Sequence, residues 1–110
     1  MLKQGLFILL LSTATADAAE NTDKLSVNLA GAGSRTCGYW LSSQHHKVEG
    51  TVWIYGFWSG LNYVAAATEQ DQSKASSAAL VTAVEEACRR DLSRVLAVAA
   101  WSAYIELNKK

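Results

Sequence analysis

Two cysteines, one histidine pair and one glutamate pair are the residues of this 110-residue chain best suited to nucleophilic, metal or acid–base work. Cys37 and Cys88 have no C-x-x-C partner and no flanking histidine, so a catalytic thiol lacks support. In an exported chain they read as one structural disulfide, the single intramolecular pairing that two cysteines allow. Closing a loop of about 50 residues contributes roughly 4 kcal/mol by chain entropy, comparable with the net stability of a small domain. His45-His46 are adjacent, and neighbouring helical positions diverge by about 100°. With the cysteines oxidised no third ligand is evident, so the pair reads as loop histidines in water. Glu85 and Glu86 each have an arginine four residues on, Arg89 and Arg90, in the favourable i,i+4 order. These pairs account for both carboxylates without acid–base duty. Neither a G-x-S-x-G elbow, an S-x-x-K motif nor a glycine-rich phosphate loop occurs. The expectation is a protein that is not an enzyme and takes no cofactor and no metal.

The elements that would position these residues follow from the chain order. Lys3, the apolar run Leu6 to Leu11 and the small residues ending in Ala16-Asp17-Ala18 have the three parts of an export signal. Cleavage is expected after Ala18. The run is far shorter than the roughly 20 residues that span a bilayer. Cys37 lies well beyond it, so no membrane anchor is expected. Removing residues 1–18 leaves nine Lys or Arg against nine Asp or Glu, a neutral chain without the basic stripe of a nucleic-acid binder. Residues 19–34 are polar and glycine-containing and read as a flexible leader. Residues 35–110 form one small domain.

That domain reads as all-α, with four helices and one disulfide. Ser34 or Thr36 caps a short first helix through Leu41. A central helix runs from about Glu49 to Ala67, a third from Ser77, and a last one from Asp91, its expected cap, to about Asn108. Without Gly or Pro near Arg90-Asp91, one continuous C-terminal helix is the alternative. The central helix holds two of the four Trp, two of the four Tyr and one of the two Phe. Trp53, Phe57, Gly60 and Val64 form one stripe, with Ile54, Trp58 and Leu61 beside it. Gly56 and Gly60, four apart, read as sites of close helix packing. Trp53, Phe57, Trp58, Leu61, Trp101 and Tyr104 are the candidate protein-binding or core surface, because so broad an apolar face implies either deep burial or an exposed contact.

With Thr36-Cys37-Gly38-Tyr39-Trp40-Leu41, the aromatic central helix and Ala83-Val84-Glu85-Glu86-Ala87-Cys88, the chain resembles the HdeA/HdeB family of periplasmic acid-stress chaperones over residues 36–108. That resemblance implies a periplasmic helical fold stapled by one disulfide, a homodimer at neutral pH, and apolar surface offered to unfolding clients in acid. Arg89-Arg90-Asp91-Leu92 stands where that family often has a helix breaker. The pattern Trp53-x-x-Gly56-Phe57-x-Ser59-Gly60-x-Asn62, with the Ala-rich last helix, is similar to the Rap1a/Tai family of periplasmic immunity proteins. It implies instead a toxin as partner. On either resemblance the partners are other proteins. In acid the exported chain would carry about +12, a self-repulsion that opposes compact packing.

Overall fold

Capping serines and threonines set the start of three helices. Thr36 Oγ1 accepts the Tyr39 N–H at 3.1 Å and opens α1, Cys37–Trp40. Ser43 Oγ accepts the His46 N–H at 3.1 Å and opens α2, Gln44–Ala67. Ser76 Oγ does the same for Ala79 at 3.1 Å and opens α3, Ser77–Arg90. The last helix, α4, is Leu96–Leu107. The computed structural model describes residues 26–109, and among them the fold is all-α. The expected export segment and the leader as far as residue 25 lie outside the described residues.

Two boundaries differ from the sequence reading. The central helix begins at Gln44 rather than Glu49, because Ser43 is a competent cap, and His45-His46 therefore sit in its first turn and not in a loop. Asp91 does not cap α4. Its carboxylate accepts the Ser93 N–H at 3.0 Å and the Ser93 hydroxyl at 2.6 Å, a turn that competes with helix and separates α3 from α4. Leu96 at the start of α4 has no side-chain cap. Its N–H donates instead to Arg35 O at 2.8 Å.

The disulfide Cys37–Cys88 joins α1 to α3 with a Cα–Cα distance of 5.2 Å. Backbone bonds reinforce it: Cys37 N–H to Arg94 O at 2.7 Å and Gly38 N–H to Leu92 O at 2.8 Å. Residues 35–38 are thus strapped across the α3–α4 turn. Behind the strap, Trp40, Ile54, Trp58, Leu80, Val84 and Leu96 form the core, closed by Ala99, Ala100 and Ala103 of α4. Those alanines let α3 and α4 pack more extensively than any other pair.

The leader is also shorter than expected. Gly31–Ser34 form a 3-10 turn with Ala32 and Gly33 buried. Trp53 on α2 holds it by donating its indole N–H to Ala30 O at 2.8 Å. A Cβ at Gly33 would overlap the Trp53 ring, so the missing side chain is what lets the turn close on α2.

Candidate protein-binding surface

The 24 residues of α2 put apolar side chains on every side of the helix, and only one side meets the core. Gly50, Ile54, Trp58 and Ala65 are buried, with Leu61 half-buried beside them. The opposite side leaves Val52 63% exposed, Tyr63 77%, Val64 58%, Val48 52% and Tyr55 41%. No Asp, Glu, Lys or Arg occurs from Gly50 to Ala67. A helix apolar all round normally lies inside a protein, so this outer face is the most distinctive feature of the molecular surface.

Gly56 and Gly60 belong to that outer face. A Cβ added at either meets no atom of the described residues within 4 Å, which corrects the expectation that they pack closely in this fold. The close approach falls one turn or more earlier, at Gly50. A Cβ there would overlap the Trp40 indole, whose Nε1–H donates to Lys47 O at 3.0 Å.

The six aromatic and aliphatic candidates divide between the core and its margin. Trp58 and Tyr104 are buried and meet edge to face at 4.8 Å. Trp53 stacks on Phe57 at 5.0 Å and Trp101 on Tyr104 at 6.0 Å, and all three of Trp53, Phe57 and Trp101 are half-buried, as is Leu61. Asn62 anchors this side of α2. Its Oδ1 accepts the Ser73 N–H at 2.9 Å and the Tyr104 hydroxyl at 3.2 Å, while its Nδ2 donates to Ser73 O at 3.1 Å. The outer residues Val48, Val52, Tyr55 and Tyr63 were not among the candidates. No signal in the sequence singles them out, because apolar residues stand on all sides of α2.

A groove of about 560 Å³ runs between the first half of α2 and the first turns of α3, lined in part by Val48, Val52, Tyr55, Ala78 and Val81. At its end the Lys47 ammonium pairs with the Glu85 carboxylate and lies 5.0 Å from the Trp40 ring centroid. Glu85 therefore reaches across to α2 rather than along α3 to Arg89. Thirty-eight positions separate the pair, beyond any local sequence rule.

On the other flank, Tyr39 lies between the His46 ring, stacked at 3.8 Å, and the Arg35 guanidinium at 4.1 Å. Ser42 Oγ is 2.9 Å from His46 Nδ1, a spacing that suits a nucleophile and its base. Ser42 also donates to Tyr39 O at 2.7 Å, so it accepts from His46, the opposite of activation. Among the described residues no three His, Cys, Asp or Glu gather to hold a metal ion, and no helix is long and apolar enough to cross a membrane. Asp91 has its carboxyl held below the usual range, first by the Ser93 hydroxyl and then by the Ser93 N–H.

Comparison with family models, with curated proteins and with solved structures finds no match.

Proposed function

We propose that this chain is an exported, non-enzymatic protein-binding protein of the periplasm that offers apolar surface to unfolding proteins in acid, as the HdeA/HdeB resemblance implies. The supporting observation is where its carboxylates sit. Glu85 joins α3 to α2 beside Trp40, and Asp91 shapes the turn that receives residues 35–38. Charge on the carboxylate strengthens both contacts, so acid weakens them. Net positive charge then pushes the elements apart, while the disulfide keeps α1 and α3 tethered. What opens is the α2 side of the core, with Trp40, Ile54 and Trp58.

The test is client aggregation followed by light scattering at pH 2 to 3, with near-UV circular dichroism and ANS fluorescence on the oxidised protein. Suppressed scattering together with lost tertiary signal and new ANS binding supports the reading. Scattering unchanged with the protein in excess overturns it.

A second reading, an immunity protein that neutralises a secreted toxin as the Rap1a/Tai resemblance implies, draws on a different observation. The α2–α3 groove and its apolar walls are present in the folded state without any opening. A fixed site of this kind would retain one stoichiometric partner through gel filtration at pH 7 and lose it on Val52→Glu.

A further inference from the structure

All the arginines of the chain, Arg35, Arg89, Arg90 and Arg94, stand on the strap 35–38 or between the last turn of α3 and the start of α4. The lysines stand elsewhere in the sequence, at Lys3, Lys24, Lys47, Lys74, Lys109 and Lys110. Backbone pairing brings the arginine-bearing segments to one end of the fold: Leu96 N–H donates to Arg35 O at 2.8 Å and Cys37 N–H to Arg94 O at 2.7 Å. Arg89 and Arg90 are exposed and Arg35 lies over the Tyr39 ring, while Arg94 reaches back to Ser102 Oγ at 3.0 Å. Leu92 stands among them. It is 52% exposed although its carbonyl accepts the Gly38 N–H at 2.8 Å, so the turn is held against α1 with an apolar side chain in water.

A helix end accounts for positive charge after α3 but not for the choice of residue. The dipole is served by an ammonium as well as by a guanidinium, and α4 is followed by Lys109 and Lys110. What a guanidinium adds is a planar fork that binds phosphate oxygens two at a time. From this segregation, together with the exposed Leu92, we infer that the α3–α4 turn and the strap form a docking surface for an anionic phospholipid membrane. Arg35, Arg89 and Arg90 pair with headgroup phosphates, and Leu92 enters the layer beneath them. Charge complementarity favours this occupant: across residues 35–38 and 89–95 the arginines stand against one acid, Asp91, whose carboxylate is engaged by Ser93. Leu92 selects the lipid source. A free phosphoanion gains nothing from an apolar side chain at the tip, whereas a bilayer surface takes it up. The contact is weak and salt-sensitive, because Glu86 lines a cleft with Arg90 and Glu49 one with Arg35. It belongs to the folded chain at neutral pH and does not rest on opening in acid.

Co-sedimentation of the oxidised chain at pH 7 and about 50 mM salt tests it, with vesicles of phosphatidylcholine alone or with about 40% phosphatidylglycerol. The expected result is binding to the phosphatidylglycerol vesicles only, lost at about 300 mM salt. The double variant Arg89→Gln, Arg90→Gln should weaken binding at least about tenfold, at about fivefold for each charge. Leu92→Ser should weaken it about fivefold with its salt dependence kept. These positions are exposed, so the far-UV spectrum of each variant should match the wild type. A wild-type chain that ignores phosphatidylglycerol at low salt overturns the inference, as does binding that either variant leaves unchanged. Binding abolished by inorganic phosphate at matched ionic strength and indifferent to Leu92→Ser also overturns it, and makes the arginines a site for a small phosphoanion. Equal retention on immobilised polyglutamate, again indifferent to Leu92→Ser, overturns it in favour of an acidic protein.

Discussion

Gly50→Ala and Gly56→Ala make the same chemical change in the same helix and should move stability in opposite directions. In an unstrained helix interior, Gly to Ala stabilises by about 1 kcal/mol through propensity alone. At Gly56 the added methyl meets no described atom within 4 Å, so that gain should appear whole. At Gly50 the methyl would overlap Cδ1, Nε1 and Cγ of Trp40. Trp40 is 1% exposed and has no room to withdraw without disturbing Ile54, Val84 and the disulfide nearby. Overpacking of this kind costs about 1–3 kcal/mol, and displacing the indole from Lys47 O forfeits about 1 more. After the propensity gain, Gly50→Ala should destabilise by about 2 kcal/mol, and the two variants should differ by about 3. Urea unfolding of the oxidised protein, followed by tryptophan fluorescence, measures both. For a domain of this size the gap corresponds to a melting difference above about 10 °C. If Gly50→Ala were as stable as the wild type, the placement of Trp40 over α2 would be wrong.

Three further outcomes rest on single contacts. Asn62→Ala should cost about 2–4 kcal/mol, because it strands the Ser73 backbone and the Tyr104 hydroxyl, while Tyr104→Phe should cost only about 1; a double-mutant cycle in urea should show the two coupled. Glu85→Ala should lower stability by about 0.5–1 kcal/mol at pH 7 and by much less in a Lys47→Ala background; equal losses in both backgrounds would exclude the Lys47 pair as the cause. Asp91 has a depressed folded pKa, so its contribution is present above the unfolded value near 3.8 and is lost as pH falls through the folded one. Asp91→Asn, which keeps the turn's acceptor, should therefore lose less stability than the wild type between about pH 4 and 2, and parallel pH profiles would contradict the Ser93 contacts.

How much of this molecule could be read in advance depended on the reach of each interaction. The all-α class, the Cys37–Cys88 bridge and the Thr36 cap were legible because helical period, cysteine count and capping act over a few residues or admit one solution. The inward side of α2 was harder. With Trp, Tyr, Phe and Val on all sides, periodicity carries no direction, and the helix is oriented instead by Gly50 under Trp40 and Asn62 against Ser73. Both are tertiary facts. The glycines illustrate the same limit in reverse: the spacing of Gly56 and Gly60 marks a place where a backbone can approach, but not whether that backbone belongs to the same chain. Among the described residues nothing comes within 4 Å of a Cβ at either. A helix gives up about 1 kcal/mol of propensity at each such glycine, and a charge-free outer face exposes apolar surface to water, so both features are costs for an isolated chain.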